Sequence, residues 1–441
     1  MKRALAGALG LALWAAGAAG SPAILTADQM RTFGLAALTK GYADQAVGIA
    51  EALLQRDAAD SAAWVLKAQA LRLRGDLPGS EAAARQAWAT ASDKPARYVA
   101  ATALAQALSL QDHRTRAQYW LRQAVQNAPN GAAQSQALQD YAYVRDQNPV
   151  SLQFSASVQP SNNVNDGGKV QFIQIGPFIL PLPSTLLALS GTSWALGADG
   201  QYRLSDDGRV VNALTFGAHM QGVVLSSKAM DLAPDLSNSD LLYRQVQVGW
   251  QRRATLAFGR LTSGVSVAHS WYGDSDLANS LTGRLALDRQ LGPDLALNLG
   301  ADVTRQVPVS GHDGSTSYGI EAALERSLAQ GDTVEVRLDL TRVVSANAGT
   351  DRKAAEITLQ WQSGQTVMGL GLGANLSAHY ALYGNVRQDS GYAAGLTATV
   401  NRITYLGFSP VVSFDVAHNG STVPWFTSDT VAVGLSLKSR F

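Results

Sequence analysis

The sequence predicts a two-domain α + β chain, in which an N-terminal α-solenoid precedes a 14-stranded antiparallel transmembrane β-barrel. Three observations predict this fold class. The front part is helical in pattern and repeats its features every 34 residues. From Ser151 onward, apolar residues occupy every second position instead. The connections between these alternating segments are long and short in turn.

The first residues, "MKRALAGALGLALWAAGAAGSPA", have the composition of a secretory signal peptide. Lys2 and Arg3 give a positive start, residues 4–16 form an apolar run, and residues 18–23 are small. A membrane-anchoring helix is the alternative, although a run so rich in Gly and Ala is only weakly apolar. We therefore expect residues 1–20 to be a signal peptide and the mature chain to be exported.

The amino-acid composition limits the function classes that are possible for residues 21–441. The chain has 441 residues, with 35 Lys plus Arg against 34 Asp plus Glu, so no nucleic-acid partner is expected. It has no cysteine, which excludes disulfides, thiolate metal sites and a cysteine nucleophile. After the signal peptide no run of about 18 apolar residues occurs, so the sequence predicts no transmembrane helix.

Residues 21–148 carry the signs of a helical repeat. They are rich in Ala, and three pairs of residues are 34 positions apart: Gly41 and Gly75, Trp64 and Tyr98, Pro95 and Pro129. This is the period of tetratricopeptide repeats, which are helix–turn–helix units. We predict a first helix over 63–76, second helices over 42–55, 80–91 and Arg114–Asn127, and a capping helix over 134–145. An Ala-rich bundle with coincidental spacings is the alternative.

Residues 149–441 are predicted to form the barrel. In "DTVEVRLDLTRVV", residues 332–344, Val336 and Leu338 point to one side of a strand while Glu335 and Arg337 point to the other. Fourteen segments alternate in this way: 151–160, 190–204, 208–224, 241–251, 254–272, 280–290, 294–307, 316–328, 333–345, 353–362, 366–383, 391–401, 406–418 and 428–441.

The connections between these segments alternate in length. Those after odd segments are long: 161–189, 225–240, 273–279, 308–315, 346–352, 384–390 and 419–427. Those after even segments are the short stretches "SDD", "RR", "LGP", "AQGD", "SGQ" and "RITY". An even strand number with short turns at one end describes an outer-membrane barrel, whose apolar face meets lipid and whose polar face lines a lumen. A soluble sandwich is the alternative.

The polar face of the predicted strands carries charges of both signs. We predict that six of them line the lumen: Arg284, Glu321, Glu335, Arg337, Asp339 and Glu356. A merely solvated barrel interior is the alternative for each. The last segment, "TVAVGLSLKSRF", ends on Phe441, and a final amphipathic strand with a terminal aromatic residue looks like the signal that the barrel-assembly machinery reads.

Three stretches resemble the surface lipoprotein assembly modulators, the Slam family, which pair periplasmic tetratricopeptide repeats with a fourteen-stranded barrel. They are "FSASVQPSNNVNDGG" (154–168), "IGPFILPLPSTLLALSG" (175–191) and "GFSPVVSFDVAHNGSTVPWF" (407–426, with the turn-like "NGS"). The resemblance implies a translocator that moves a protein cargo, lipidated or soluble, to the cell surface. Candidate cargo or gating residues lie in the first long loop: Asn162, Asn163, Asn165, Pro177 and Phe178.

The first long loop is strongly apolar for an exposed connection. Its residues 170–189 include ten large apolar side chains and the prolines Pro177, Pro181 and Pro183, from which we predict that no regular ladder or helix forms. An exposed apolar patch of this kind usually marks an interaction surface. The alternative is a loop that packs on the barrel rim.

No catalytic pattern stands out. The six histidines lack ligand spacing, and His269 and Ser270, as neighbours in a strand, face opposite sides. "GLGLG" at 369–373 lies in a strand without a following helix, so it is not a nucleotide loop. We expect no enzyme activity and no cofactor. The expected partners are outer-membrane lipid, a protein cargo, the barrel-assembly machinery and periplasmic chaperones; a polysaccharide exporter or a passive porin with a docking domain are the alternative functions.

Overall fold

The computed structural model describes residues 25–175, 178–309, 311 and 313–439. The predicted signal peptide, the predicted assembly signal at Phe441 and the candidate Pro177 therefore lie outside the described residues. The chain divides into two compact units, Met1–Gln147 and Asn148–Phe441. The described part of the first unit is helical, and the second is a barrel.

Seven helices fill the described part of the first unit: α1 (Ala27–Thr39), α2 (Ala43–Arg56), α3 (Ser61–Arg74), α4 (Leu77–Thr90), α5 (Lys94–Leu110), α6 (Arg114–Asn127) and α7 (Gly131–Gln147). The starts of α1 and α3, at Ala27 and Ser61, are 34 residues apart, as are those of α2 and α4, at Ala43 and Leu77. These are tetratricopeptide-like helical pairs, as the sequence predicted.

The helix boundaries follow from capping residues. Asp60, Asp76 and Asp93 each accept a hydrogen bond from the backbone amide three residues later, at 3.0, 2.9 and 2.8 Å, at the starts of α3, α4 and α5. Gly75 ends α3 in the left-handed conformation, with φ of 88°, which glycine adopts without steric cost.

Alanine lets these helices approach closely. One core cluster joins α1, α2 and α3 through Met30, Ala50, Leu53, Ala63 and Leu66. Many of the fully buried side chains in this unit are alanines, so the packing depends on small residues with little rotamer entropy to lose.

The second unit is a closed barrel of fourteen strands in sequence order, in which each strand is antiparallel to its neighbours. The strands are β1 (Val150–Ser161), β2 (Gly191–Asp206), β3 (Val210–Leu225), β4 (Tyr243–Leu256), β5 (Gly259–Tyr272), β6 (Ser275–Gly292), β7 (Leu295–Pro308), β8 (Ser315–Ser327), β9 (Thr333–Ser345), β10 (Arg352–Val367), β11 (Leu370–Tyr383), β12 (Arg387–Val400), β13 (Phe408–Ser421) and β14 (Ser428–Ser439). The predicted α + β fold class is confirmed.

The two faces of the barrel wall differ in chemistry. On β9, Val336, Leu338 and Leu340 are exposed on the outer face, and Leu338 is 42% exposed. Between them Glu335, Arg337 and Asp339 point to the inner face. A wall that is apolar outside and polar inside follows directly from the two-residue period of the sequence.

Several predicted connections differ from the structure. "RR" is not a turn, because Arg252 and Arg253 pair with Asn212 and Val211 inside β4. Their side chains face opposite sides near the end of the strand, where both reach water. "SGQ" is not a turn either: it lies at a register shift after Gln362. The hairpin turns instead at Met368 and Gly369, whose φ of 54° and 85° are the two positive values that a tight hairpin turn needs.

Three predicted long connections are shorter than expected. Of 384–390 only 384–386 lie between strands, because Arg387 already lies opposite Tyr383. Residues 273–279 contain only a tight turn, because Ser275 already lies opposite Tyr272. In the last predicted long connection, "NGS" belongs to β13, where Gly420 pairs with Ser390 and Ser421 with Asp389. The alternation in length therefore holds less strictly than predicted. We call the end of the barrel that carries 162–190, 226–242 and 422–427 the loop end, and the opposite end the turn end.

Among the described residues no helix is long and apolar enough to cross a membrane.

Candidate functional site

The loop end of the barrel holds the first candidate site, which is built around the connection 162–190. We call this connection the first loop. It begins with the three asparagines that the sequence singled out. Each of them uses its side-chain amide in place of a backbone group.

Asn162 joins the first strand to the last. Its backbone amide donates to the carbonyl of Val431 at 3.2 Å, and its side-chain carbonyl accepts from the amide of Val431 at 2.7 Å. Its side-chain nitrogen donates to the carbonyl of Asp429 at 3.4 Å. Asn162 thus continues the ladder between β1 and β14 past the end of β1.

Asn163 and Asn165 fold the first loop back on itself. Asn163 is only 3% exposed and makes two 2.9 Å hydrogen bonds with the backbone of Gly167, one as donor and one as acceptor. Asn165 accepts from the amide of Leu189 and donates to the carbonyl of Leu187, both at 2.9 Å. Because an amide offers both a donor and an acceptor, asparagine suits this backbone-like role.

The middle of the first loop is an antiparallel hairpin of residues Phe172–Ile175 and Phe178–Pro181. The prediction that its prolines prevent a ladder is therefore wrong. Pro181 lies opposite Phe172 at the open end of the hairpin, where a missing donor costs little. Candidate Phe178 belongs to the second hairpin strand. Ile179 is 69% exposed, and Phe172 and Leu180 are also exposed.

The base of the first loop is packed on the barrel rim. Leu189 is fully buried in a cluster with Val223, Leu225 and Ala229, and Val164 packs against that cluster. The amide of Lys169 donates to the carbonyl of Thr427 at 3.0 Å, and its ammonium pairs with Asp429. The loop therefore has a fixed base and an exposed apolar hairpin.

Glycine allows the close approach at this base. A side chain at Gly168 would place its Cβ 2.1 Å from the carbonyl oxygen of Trp425, so only glycine fits there. Trp425 belongs to the short helix Pro424–Phe426 in the last connection of the barrel. The first and last connections are thus in direct contact at the loop end.

A cation between two aromatic rings supports that last connection. The guanidinium of Arg387 lies 3.7 Å from the ring centre of Tyr383 and 3.8 Å from that of Phe426. It pairs with Asp389 at 3.1 Å, and the side chains of Arg387 and Asp389 are only 13% and 8% exposed. Sequence reasoning missed this cluster; the signal in the sequence was an arginine and an aspartate two positions apart at the start of β12.

A third connection at the loop end is fixed by an ion pair. Arg342 donates to both carboxylate oxygens of Asp351, at 2.7 and 2.9 Å. These hydrogen bonds lower the pKa of Asp351 below its ordinary value, and a bond from the amide of Ser345 adds to the effect. The connection 346–351 is held by this bidentate pair.

The second candidate site is the charged part of the inner wall. All six predicted lumen residues lie in one region of the wall, on β6, β8, β9 and β10. Glu321 lies opposite Asp339, which lies opposite Glu356, so three carboxylates form one row. Arg337 pairs with Glu335 at 2.7 Å and lies 3.9 Å from Glu321, as does Arg284.

Glycines make room for polar groups on the inner wall elsewhere. A Cβ at Gly434 would lie 2.4 Å from the hydroxyl of Ser413, and Gln159 reaches across this glycine to bond Asp415 at 3.0 Å. The bond joins β1 to β13 over the strand between them. No local pattern in the sequence indicates this pairing, because its partners are 256 residues apart.

No group of three or more His, Cys, Asp or Glu side chains in the described part of the chain could hold a metal ion. His269 contacts Asn279 and Asp276 at 2.8 and 3.0 Å rather than Ser270. The clearest features of the described residues are thus the exposed apolar hairpin of the first loop and the charged inner wall.

No protein-family model and no curated protein matches the chain. Among solved structures, the helical unit is similar to the TPR2B domain of yeast Sti1 in its pHsp70 complex, at 22% identity over 27% of this chain and 97% of that chain, with a TM-score of 0.26. The barrel is similar to a loop-deletion mutant of OmpT, an outer membrane protein of Vibrio cholerae, at 12% identity over 65% of this chain and 99% of that one, with a TM-score of 0.34. A bacterial polysaccharide outer membrane secretin is similar at 7% identity over 65% of this chain and 98% of that one, with a TM-score of 0.36.

Proposed function

We propose that this chain is an outer-membrane translocator that exports a protein cargo, a surface lipoprotein or a related secreted protein, across the bacterial outer membrane. The observation that carries the proposal is the joining, in one chain, of tetratricopeptide-like helices to a closed barrel with an apolar exterior, a charged interior and an apolar hairpin at its loop end.

Membrane insertion is supported by the outer face of the barrel. Large apolar side chains such as Leu285, Ile320, Leu338 and Leu396 are exposed there on successive parts of the wall. Exposed apolar area on this scale is unfavourable in water but favourable in lipid. Closure of the sheet also satisfies the backbone groups that lipid cannot.

The connections support one orientation in the membrane. β1 starts at Val150, directly after α7 ends at Gln147, so the helical unit joins the barrel at the turn end. Outer-membrane barrels keep short turns in the periplasm and longer loops outside. We therefore place the helical unit in the periplasm and the first loop at the cell surface.

The helical unit has the surface of a protein-binding module. Phe33 and Leu35 on α1, Leu73 on α3, Val99 on α5 and Tyr143 on α7 are exposed. Stacked helix pairs form a groove for extended segments or helices of other proteins. We assign this unit to the recruitment of cargo, or of a periplasmic chaperone that carries cargo.

The two candidate sites fit transport better than catalysis. The row of carboxylates with Arg284 and Arg337 gives the lumen a field of mixed sign, which suits a polypeptide of varied sequence. The exposed hairpin can contact apolar segments of a cargo as it emerges. Resemblance to the Slam family in the first strand, in the first loop and in the penultimate hairpin (407–426) supports the same function, and we propose no enzyme activity.

Deletion of the gene in the source bacterium tests the proposal. If the adjacent gene encodes a small secreted or lipidated β-rich protein, its product is the cargo to follow, by protease treatment of intact cells. We expect it to lose surface exposure and to accumulate inside, while surface polysaccharide stays unchanged. Loss of polysaccharide with unaltered display of the protein would instead support a polysaccharide exporter.

A further inference from the structure

The seam that closes the barrel, between β1 and β14, is incomplete. On its other side β1 pairs with β2 without a break from Val150 to Ser161. Toward β14 the register joins only Ser157, Val158 and Ser161 to their partners, among the residues that the structure describes. Extending the same register would set Ala156 opposite Leu437 and Ser155 opposite Lys438, but neither pair is formed.

Side-chain exposure is high at the same place. On β9 exposed and half-buried residues largely alternate. On β1 five successive residues, Ser151 to Ser155, are all exposed, and so are Leu437 and Lys438 near the end of β14. These residues of both strands are thus open to an added strand.

The loop end of the same seam is held firmly by side chains. Asn162 bonds Val431 twice on the outside, and Gln159 reaches over Gly434 to Asp415 on the inside. Between these points lies Pro160, which has no amide to donate to a ladder. The seam is therefore held at the loop end, whereas toward the turn end the pairs Ala156–Leu437 and Ser155–Lys438 are not formed.

We propose that the turn-end half of this seam binds an extended peptide strand by β-addition, with Ser155 and Ala156 on one edge and Leu437 and Lys438 on the other. The proposal rests on the proposed function, since it assigns this strand to the cargo. The hydrogen bonds of Asn162 and Gln159 keep the rest of the barrel closed while the strand is bound.

The chemistry of the gap selects a peptide rather than a lipid chain. Backbone N–H and C=O groups at a strand edge find no water in a bilayer, and an acyl chain offers them no hydrogen bond. An added strand supplies both donors and acceptors along its length. The gap therefore favours an occupant with its own backbone.

The gap also selects the side chains of that peptide. A cavity of about 710 Å³ adjoins it, and its lining includes Phe154, Ala156, Leu196, Met220, Val246 and Leu437. Side chains of a strand alternate between its two faces, so one side-chain set would enter this apolar cavity and the other would face the lumen. The cargo segment should thus alternate apolar and polar residues.

A cross-linking experiment tests this site. The full-length chain, reconstituted in phospholipid nanodiscs, carries Ala156→Cys as its only cysteine; the control is Ala322→Cys, an outward alanine on β8 that pairs with both neighbouring strands. The probe is the peptide TVAVGLSL, which copies residues 430–437, extended by an activated cysteine. A second peptide has proline at alternate positions and cannot form a ladder.

We expect the strand peptide to form a mixed disulfide with Ala156→Cys about tenfold faster than with Ala322→Cys, because binding raises its local concentration. The proline peptide should show no such preference. Equal rates at both sites, or equal rates for both peptides, would overturn the proposal. Labelling of Ala156→Cys by a maleimide-bearing fatty acid but not by the strand peptide would assign the gap to lipid and also overturn it.

A second variant tests whether the gap is open in the membrane. Ala156→Cys combined with Leu437→Cys should oxidise to a disulfide slowly compared with Ser157→Cys combined with Ser436→Cys, whose positions are already paired. Equal rates would show a closed seam and overturn the proposal. Because these assays use purified protein, their failure leaves the surface-display test of the proposed function unaffected.

Discussion

The asparagine at the end of β1 shows how a single side chain can complete a barrel. Asn162 supplies a carbonyl where the backbone ladder has ended, so the amide of Val431 keeps a partner at 2.7 Å. Asn162 is exposed, so water can replace a lost partner there, and such a hydrogen bond contributes about 0.5–1.5 kcal/mol. Asn162 is therefore a structural residue of the seam as much as a candidate contact for cargo.

Asn162→Ala should weaken the folded barrel by about 0.5–1.5 kcal/mol, because the Val431 amide loses its acceptor and the Asp429 carbonyl loses its donor. The measurement is the temperature at which the folded band converts to the unfolded one in unheated electrophoresis samples. Asn298→Ala removes the same amide from β7, away from the seam, and should change that temperature less. A larger loss with Asn298→Ala would contradict this role of Asn162.

A half-buried carboxylate ties together helices of the first unit. Glu81 on α4 accepts hydrogen bonds from Gln111 at 3.0 Å and Arg116 at 2.8 Å, and pairs with Arg85 at 2.5 Å. Burial acts to raise the pKa of Glu81, but these bonds and charges outweigh it, so its pKa lies below the ordinary value of 4.5.

Because the folded pKa of Glu81 is lowered, its stabilising effect is complete above its unfolded pKa and is lost as pH falls through the folded one. We expect the midpoint of helix unfolding, followed by circular dichroism in detergent, to fall as pH is lowered from above 4.5. Glu81→Gln should flatten this dependence, whereas Glu51→Gln, at an exposed ion pair with Lys67, should not. The same pH dependence in wild type and Glu81→Gln would rule out this assignment.

At the scale of elements, the prediction depends on which side chains of a strand point to lipid and which point to the lumen. Leu338→Arg places a charge on the lipid side of β9 and should cost about 2–4 kcal/mol, whereas Asp339→Arg adds a cation between Glu321 and Glu356 on the inner side. We expect much less assembled, heat-modifiable barrel for Leu338→Arg. Equal amounts of assembled barrel from both variants would show that the facing of β9 is reversed.

The hairpin of the first loop should be separable from its base. Removal of residues 172–181 leaves Gly168, Asn165 and their backbone partners Leu186 and Leu187 in place. We expect normal amounts of barrel but altered transport, seen as antibiotic sensitivity or reduced display of the cargo. Wild-type behaviour in both assays, with normal barrel levels, would leave the hairpin without a role in transport.

The strands were predictable from the sequence because lipid on one side and the lumen on the other impose a two-residue alternation of apolar and polar side chains. Their ends were less so: "RR" and "SGQ" carry turn-like composition, yet the chain turns at 257–258 and at Met368–Gly369. Local composition cannot reveal a register shift such as the one after Gln362, because that depends on the partner strand.

The candidate site was predictable only in part, for a similar reason. The asparagines stood out as a motif, but their partners Val431 and Leu189 are set by barrel closure and loop folding. The Arg387 cluster joins two separate parts of the chain, the hairpin with Tyr383 and Arg387 and the later connection with Phe426. Such contacts follow from topology, and no pattern within one segment contains them.

For the whole molecule, the proposed function depends on one arrangement. We propose that the barrel spans the outer membrane with the helical unit and the turns in the periplasm and the first loop at the cell surface. Capture of cargo by the helices and contact of cargo with the hairpin both require this orientation.

Cysteine labelling of whole cells tests that orientation most directly, and the absence of native cysteine makes it simple. Ala348→Cys and Gly314→Cys lie in connections at the loop end, and Gly331→Cys lies in a turn at the other end. With a membrane-impermeant maleimide, we predict labelling of the first two in intact cells and of Gly331→Cys only after the outer membrane is broken. Labelling of Gly331→Cys in intact cells, with Ala348→Cys and Gly314→Cys protected, would contradict the account.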